Sequence, residues 1–272
     1  MVRVRKRGLM TGAVTYRSYL QLPRLLSSQT PLSDAHDELL FISIHQCAEI
    51  WIKLILYELD AARAHIRADD LAPAFKMMTR VARVQAQLIQ SWEVLATMTP
   101  SDYARMRGAL GSSSGFQSEQ YRQVEFLLGN KDAQMVEIHR DEPDVHAALA
   151  KALRAPSIYD EALLLLARRG FEIAVDHLER DFGMPYCASA EVERAWSTIY
   201  ANPEKYWDLY DLAEKLVDLE YHTQLWRFGH LKTVERVIGF KGGTGGTAGV
   251  SYLAKVLEQT FFPELLSVRT QL

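Results

Sequence analysis

The chain lacks the features of a disulfide-stabilised, nucleic-acid-binding or membrane-spanning protein. Only two of its 272 residues are cysteine, Cys47 and Cys187, and no CxxC pair occurs. A disulfide framework is therefore excluded, and a reduced, cytoplasmic setting is expected. The formal net charge of -3 gives no basis for the basic surface that nucleic acid requires. No apolar run approaches the ~20 residues that span a bilayer, so no membrane segment is predicted.

Motifs for nucleotides and for protein-bound metals are missing as well. The chain contains no HExxH and no paired-carboxylate cluster, which leaves no recognisable zinc site. The glycine-rich segment after Lys241, GGTGGTAG, has no GKS or GKT ending, and Ala248 takes the third glycine position of GxGxxG. A nucleotide loop is therefore rejected. We interpret the segment as a mobile loop that covers a substrate.

What is present is helical periodicity in an ordinary globular composition, 48% hydrophobic and 24% charged. Strand-like alternation is nearly absent. One apolar stripe on a long helix is formed by Leu40, Ile44, Cys47, Trp51 and Leu54, and the clearest stripe by Leu209, Leu212, Leu216, Leu219, Thr223, Trp226 and His230. Steps of three and four place each set on one helix face. The pattern predicts an all-α fold, with a flexible basic arm over residues 1–14 and a single helical domain over residues 15–272.

The remaining helices follow from their start and stop signals. Further helices are predicted from about 74 to 98, from Ser101, from Ser118 to Leu128, on both sides of Pro156, over 188–200 and from Ser251 to about Gln259. The stretch Gly108–Gly115 is rich in glycine and serine and predicts a loop.

Two histidines stand out by position. His230 closes the clearest apolar stripe and so points where the core points. Such a histidine is more often a hydrogen-bonded core residue than a ligand; as an iron ligand it needs burial and a partner for its second nitrogen. His45 shares a helix face with Phe41, which suits a flat heteroaromatic ligand, although an ordinary core histidine is the favoured reading of this pattern alone. Four others are expected on solvated faces: His65, His139, His146 and His177.

A short basic segment supplies a candidate clamp for a carboxylate. Arg105 and Arg107 flank Met106, just after Tyr103. The planar guanidinium of arginine forms two parallel hydrogen bonds with a carboxylate. A surface arginine is the default interpretation, and the spacing of four allows only Arg107 to share a face with Tyr103. From these residues alone, the chain is a helical protein with a possible buried-histidine site.

Several separate segments, in order, resemble the tryptophan 2,3-dioxygenase family, and together they cover nearly the whole chain. The matching stretches are TYRSYL (15–20), HDELLFISIHQ (36–46), EIWIK (49–53), SWEVLATMTP (91–100), SGFQS (114–118), LWRFGH (225–230), VERVIGFK (234–241), GTGG (243–246) and FFPEL (261–265). The resemblance implies an all-helical bundle that holds haem b, uses O2 as co-substrate, and assembles as a homotetramer, a dimer of dimers.

The resemblance also implies roles for individual residues. His230 matches the axial ligand of the haem iron, and His45 matches the distal histidine that hydrogen-bonds the indole N–H. The other matches are Phe41 beside the indole, Tyr103 and Arg107 at the substrate carboxylate, Thr244 at the amino-acid head, Ser114 and Trp92 in the haem pocket, and Tyr16, Tyr19 and Leu20 in a segment that reaches a neighbouring subunit's site. His45 is expected to orient the ring rather than to act as an obligatory base.

The expected reaction is insertion of O2 across C2–C3 of the indole of L-tryptophan to give N-formylkynurenine. Three departures from the family pattern keep an alternative open: Gly229 and Gly242 stand where arginines are usual, and Thr223 replaces a phenylalanine. The alternative is a monooxygenase that acts on a substituted tryptophan, such as β-methyltryptophan, and gives an oxindole or hydroxyindoline. A non-catalytic haem sensor is a third hypothesis, against which the complete amino-acid site argues.

Overall fold

Helices are the only regular secondary structure in the computed structural model, which describes residues 13–243, 246 and 248–272. They are α1 (Tyr16–Tyr19), α2 (Leu22–Leu25), α3 (Glu38–Arg67), α4 (Leu71–Leu95), α5 (Pro100–Leu110), α6 (Glu119–Leu128), α7 (Gln134–Glu137), α8 (Pro143–Arg154), α9 (Ile158–Arg168), α10 (Val175–Leu178), α11 (Ala190–Ala201), α12 (Trp207–Val237), α13 (Val250–Leu257) and α14 (Pro263–Val268). A 3-10 turn, Gly115–Gln117, precedes α6. The all-α prediction is confirmed. The predicted arm falls almost wholly outside the described residues.

Three long helices, α3, α4 and α12, build the core. α3 and α4 form a helical hairpin whose short turn contains Asp69 in the left-handed region, with φ of 58°. α4 packs against both α3 and α12, and α9 packs on α3. Helix α9 is buried on almost all sides, with Leu163, Leu165 and Leu166 each fully inaccessible. The apolar stripes therefore meet along α4, which is the central helix of the bundle.

α4 and α12 run parallel, which decides which residues share a level. Their side chains hydrogen-bond in one consistent order: Gln85 donates to the carbonyl of Leu219, Trp92 to that of Trp226, and Arg236 to that of Ala96, directly after α4. Positions rise together along both helices in this series. Because each residue of a helix advances by about 1.5 Å, this register places Trp92 beside the last turns of the α12 stripe.

The C-terminal segments are tied to α12 by buried polar contacts. The carboxylate of Glu220 accepts hydrogen bonds from the backbone N–H groups of Phe261 and Phe262, at 3.0 Å each. Two turns further, the Arg227 guanidinium pairs with Glu125 of α6 at 2.9 Å and donates to the Val256 carbonyl of α13 at 3.1 Å. Buried charges of this kind are tolerated because each is paired. They hold α6 and α13 against α12 one turn below His230.

Most predicted helices are confirmed, and the differences lie at their ends. α5 begins at Pro100 rather than Ser101, because the Thr99 hydroxyl caps it by accepting the Asp102 N–H at 3.3 Å. α5 continues to Leu110, so the predicted start of the loop at Gly108 is too early. α6 ends as predicted at Gly129, whose φ of 118° suits glycine. The periodicity missed the short helices, α1, α2, α7, α10 and α14.

The prediction that no segment could span a membrane needs one correction. By length and composition alone, α3 is long and apolar enough to cross a bilayer. That prediction was based on uninterrupted apolar runs, whereas α3 mixes apolar residues with polar ones such as Gln46 and Glu49. Much of its apolar surface is not buried within the chain: Leu39 is 49% exposed, Ile50 50% and Tyr57 71%.

Candidate active site

One wall of the candidate site is the first part of α3, where Phe41 and His45 lie one turn apart. Their ring centroids are 4.1 Å apart, and His45 Nδ1 lies 2.7 Å from the Phe41 carbonyl oxygen. Since a carbonyl can only accept, Nδ1 carries the hydrogen and the neutral ring keeps a free lone pair on Nε2. Burial lowers the pKa of His45, although the Phe41 carbonyl and Glu49 partly oppose it. His45 is therefore a neutral acceptor at pH 7.

The second element is α5, which presents Tyr103 and Arg107. Tyr103 is buried, and burial raises its pKa, so the phenol stays protonated. The Arg107 guanidinium lies 5.8 Å from the Tyr103 ring centroid, and its Nη2 donates to the Gly242 carbonyl at 2.8 Å. Arg105 is exposed. The structure thus pairs Tyr103 with Arg107, as the spacing allowed.

The two walls form one continuous surface. The rings of Phe41 and Tyr103 are 6.5 Å apart, so aromatic contacts run from His45 to the guanidinium of Arg107. A cleft of about 240 Å³ opens at the Arg107 end of this surface, lined by Tyr103, Arg107, residues 235–239 and Lys241. An amino acid with an aromatic side chain matches this surface, because a cationic clamp and a flat apolar wall with one acceptor lie at its two ends.

The third element is α12, where His230 meets Trp92 of α4. The two rings are stacked, with centroids 4.8 Å apart and planes 8° apart. The Trp92 indole N–H donates to the Trp226 carbonyl at 3.0 Å. Burial lowers the pKa of His230 to about 4, and the nearby His45 contributes to this lowering. The imidazole of His230 is therefore neutral at pH 7, which a metal ligand requires.

The donor set at His230 fits an iron that brings its other ligands with it. Among the residues that the structure describes, no group of three or more His, Cys, Asp or Glu side chains could hold a metal ion. His230 offers one neutral imidazole in apolar surroundings, between Trp92 and Trp226. A porphyrin supplies four nitrogen ligands and needs only an axial one from the protein. Haem suits this site, and a bare metal ion does not.

The structure does not show the remaining predicted site residues in contact with His45, Arg107 or His230. Ser114 begins the 3-10 turn, where its hydroxyl accepts the Phe116 N–H at 3.3 Å. Thr244 lies outside the described residues. Tyr16 and Tyr19 are each 76% exposed and Leu20 is 41% exposed, in α1, which contacts α2. Their roles stay predictions.

Two residues beside His230, Trp226 and Gly229, are not among the predicted site residues, although Gly229 is one of the three departures from the family pattern. The ring of Trp226 lies 5.9 Å from that of His230 and 5.0 Å from Tyr121 of α6. Gly229 faces the Trp92 indole at close range. A glycine in the interior of a long helix was the available signal for the second. The prediction of a solvated His139 is wrong, because its side chain is buried and it lies 3.2 Å from Glu142.

The three departures have structural consequences of different kinds. Thr223 is buried, and its hydroxyl accepts from the Gln85 amide at 2.9 Å while donating to the Leu219 carbonyl at 2.7 Å. A polar contact between α4 and α12 therefore occupies this level. Gly242 supplies the carbonyl that Arg107 contacts. Gly229 leaves room for the indole of Trp92.

A second cleft, of about 390 Å³, contains neither His45 nor His230 and is lined by the segment that follows α9, by α11 and by Tyr206; its charged residues are Arg169, Arg194, Glu172 and Glu191. Both signs of charge are present. Arg169 is already paired with Asp69 and Asp208. Because the Arg169 guanidinium is already paired, this cleft does not resemble the first site, which combines a cationic clamp with aromatic rings and histidines.

Comparison with known proteins agrees with the geometry over almost the full chain. The family model described as tryptophan 2,3-dioxygenase matches residues 4–199 and 197–272. The chain is similar to the tryptophan 2,3-dioxygenase of Erythrobacter litoralis (strain HTCC2594), with 61% identity over 96% of this chain and 99% of the relative. It is also similar to the enzymes of that name from Bacillus thuringiensis (strain Al Hakam), at 57% identity over 95% and 93%, and from Polaromonas sp. (strain JS666 / ATCC BAA-500), at 56% over 95% and 88%.

Proposed function

Because this chain belongs to the tryptophan 2,3-dioxygenase family, we propose that it adds both atoms of O2 across the C2–C3 bond of L-tryptophan to give N-formylkynurenine. One observation carries the proposal. Aromatic contacts connect a neutral His45 to the Arg107 clamp, and the neutral His230 lies close enough to His45 for the two rings to interact electrostatically. His45 matches the indole N–H of the substrate, Arg107 matches its carboxylate, and His230 matches the iron of the cofactor.

The cofactor proposed is haem b, which the imidazole of His230 would hold, with Trp92 and the segment around Ser114 lining its pocket. Haem supplies, when bound, the iron at which O2 is activated, which no protein side chain can do. The chain contributes a neutral imidazole, kept neutral by burial. The apolar walls keep water away from the reacting groups.

Substrate recognition divides between the two ends of the aromatic surface that runs from His45 to Arg107. Arg107 binds the carboxylate with its guanidinium, and Tyr103 lies beside it as a protonated hydroxyl donor. Phe41 packs against the indole, and Nε2 of His45 accepts the hydrogen bond of the indole N–H. Together these contacts hold C2 and C3 in one orientation and so lower the entropic part of the barrier. Thr244 is proposed to meet the amino-acid head.

In this proposal His45 orients the ring and does not need to remove its proton. The Nδ1 hydrogen is held by the Phe41 carbonyl, so the ring has one defined acceptor. The product keeps the nitrogen proton of the indole, since both oxygen atoms add to carbon. A positioned acceptor is therefore sufficient for this chemistry.

A second copy of the chain is the proposed occupant of the exposed apolar surface on α3 and the N-terminal segment. Tyr16 and Tyr19, 76% exposed each, and Tyr57, 71% exposed, leave large aromatic surface in water. Exposed patches of this kind mark interfaces. The polar residues of α3 are better suited to a protein partner than to a bilayer. We propose a homotetramer in which α1 of one subunit completes the site of another.

Complementation between two inactive variants tests this assembly. A His230→Ala chain has an intact α1, and a Tyr19→Ser chain has an intact histidine site. Mixed after dissociation and reassembly, the pair is expected to recover activity, because some sites then combine both intact parts. A mixture as inactive as its components, at a size equal to that of one chain in sedimentation, contradicts the shared site.

The monooxygenase alternative finds no support in these comparisons, since the relatives at 56–61% identity all carry the dioxygenase name. It is therefore not proposed. The haem sensor is disfavoured by the pairing of Tyr103 with Arg107 beside His45, which a sensor does not need.

The deciding experiment is mass spectrometry of the product formed from L-tryptophan and 18O2 by the reduced, haem-loaded protein. Two labelled oxygens in one ring-opened product are expected, with a parallel reaction in labelled water to correct for carbonyl exchange. A product that retains one labelled oxygen and a closed indole would overturn the dioxygenase proposal. Haem loading without any product would favour the sensor.

A further inference from the structure

Gly229 is the only glycine in α12, a helix of 31 residues, and no backbone requirement explains it. It is absent from the positions with positive φ, where glycine is conformationally needed. A glycine within a helix is less favourable than alanine because it loses more backbone entropy. Its position, directly before His230, therefore has to be explained by what its missing side chain leaves room for.

The missing side chain leaves room for the indole of Trp92. A Cβ atom at position 229 would lie 2.7 Å from Cδ1 of Trp92, and 3.4 Å from both Cγ and Nε1. All three atoms belong to the five-membered ring of one side chain. A contact of 2.7 Å is well inside van der Waals separation, so the indole and a β-carbon cannot share this space.

The indole cannot yield at little cost, because it is held on two sides. Its Nε1–H donates to the Trp226 carbonyl at 3.0 Å, and its ring packs on that of Trp226 at 5.5 Å. Trp226 in turn contacts Tyr121 of α6, at 5.0 Å. Moving Trp92 outward breaks the hydrogen bond and the stack together.

The seated indole lies flat on the imidazole of His230, with an angle of 8° between the planes. Within the described residues, the His230 ring makes no hydrogen bond to another side chain or to the backbone. A metal-bound histidine usually has its plane set by a hydrogen bond from its second nitrogen. Here the nearly parallel indole is the group that restricts rotation of the ring.

We propose that Gly229 is a positioning residue: by lacking a β-carbon it lets Trp92 lie against α12, and the stacked indole fixes the plane in which His230 meets the iron. This inference rests on the proposed function, because it takes His230 as the haem ligand. It goes beyond it by assigning the orientation of that ligand to a stacked ring and a glycine.

The main test is Gly229→Ala, with Gly108→Ala as its matched control. Gly108 also lies within a helix, α5, but a β-carbon there meets nothing within 4 Å. Both variants gain the same helix propensity, so a difference between them reports the contact with Trp92. The readouts are the rate at which haem is lost to an excess of an apo-globin acceptor and the iron–histidine stretching band of the ferrous protein.

Gly229→Ala is expected to lose haem about ten-fold faster than the parent, by analogy with lost supports of other metal ligands, and to shift or broaden the iron–histidine band. Gly108→Ala should match the parent in both. Trp92→Leu should lose haem faster too, and adding Gly229→Ala to it should have no further effect, because the clash is gone. The proposal would be overturned if Gly229→Ala accelerated haem loss equally in the parent protein and in the Trp92→Leu variant.

The haem-free protein provides an independent readout, which can be measured even for a variant that takes up haem poorly. With 13C-labelled histidine, the ring protons of His230 should appear upfield through the ring current of the indole, and His230→Gln assigns them. The upfield shift should disappear in Trp92→Leu and in Gly229→Ala. An unchanged shift in Gly229→Ala refutes the proposal. Normal haem ligation in His230→Gln would instead refute the proposed function itself.

Discussion

The two halves of α12 carry the same apolar periodicity but have different surroundings. In the first half, Leu212, Leu216 and Leu219 are fully buried in the main core. In the second half, Trp226 and His230 continue the stripe but are only partly buried. Both halves face α4, so the face of the helix is the same. What changes is the completeness of packing.

That difference separates stability from ligand binding. Where packing is complete, each leucine contributes apolar burial and no surface is left for another molecule. Where it is incomplete, the imidazole of His230 has lost water without gaining a hydrogen bond within the described chain. Burial therefore lowers its pKa to about 4 and leaves a lone pair available. The site therefore lies at the end of the α12 stripe, where apolar residues continue but are not fully covered by neighbouring helices.

The largest expected effect comes from removing the ligand in the second half. His230→Ala should abolish stable haem uptake, because no other described side chain offers an imidazole at that position on α12. The measurement is haem titration followed in the Soret region. His222→Ala is the control on the same helix, since Nδ1 of its ring lies 2.7 Å from the Asp218 carbonyl oxygen, one turn earlier in α12. A fully haem-loaded His230→Ala protein would sink the assignment.

Breaking the first half should change stability and leave the ligand site unaffected. Leu216→Ala removes a fully buried side chain and should lower the free energy of unfolding by about 2–5 kcal/mol. Leu266→Ala, at a position 38% exposed, should cost less than about 1 kcal/mol. Urea unfolding of the haem-free proteins measures both. If Leu216→Ala altered the haem spectrum as strongly as the stability, the separation of the two halves would fail.

A smaller effect is expected at the Arg107 clamp, which lies beside the end of the second half. Arg107→Leu should weaken L-tryptophan binding about ten- to a hundred-fold, since a hydrogen-bonded charged contact contributes about 1.5–3 kcal/mol. Arg105→Leu is the matched control, because Arg105 is exposed two positions away. Calorimetric titration of L-tryptophan compares them. Equal affinities for the two variants would refute the clamp.

The smallest effect concerns the charge state of His45. Because burial lowers its pKa below the ordinary 6.5, the neutral acceptor persists at and somewhat below that pH. Binding of L-tryptophan should therefore be flat from pH 8 to 6.5 and weaken only at lower pH. His45→Phe should bind a few-fold more weakly, at about 0.5–1.5 kcal/mol for one hydrogen bond, without this pH dependence. A midpoint above 6.5 in the parent would contradict the neutral ring.

The prediction of the fold from sequence succeeded where periodicity is long and failed where helices are short. Leu209 to His230 steps by three and four over six turns, and α12 covers it. α14 has six residues and begins at a proline, so its pattern is too short to register. His139 was misassigned for a related reason, since charged neighbours in sequence do not show which side chain the α7–α8 segment buries.

The candidate site was predictable in parts. The i, i+4 spacing placed His45 with Phe41 and Arg107 with Tyr103, and the structure shows both pairs in contact. The i, i+4 spacing gave no information on how α3, α5 and α12 meet. It was silent as well on Gly229, because the clash that excludes a side chain there comes from an indole 137 positions earlier in the chain.

By itself the sequence determined the helices, the face that each buries and the residues that share a face, because backbone geometry repeats every 3.6 residues whatever the neighbours are. Only the tertiary structure decided that α4 runs parallel to α12, that Trp92 arrives level with His230, and that packing stops short of filling the space beside it. Those outcomes depend on how side chains of distant segments fit together in three dimensions, and no local repeat encodes that fit.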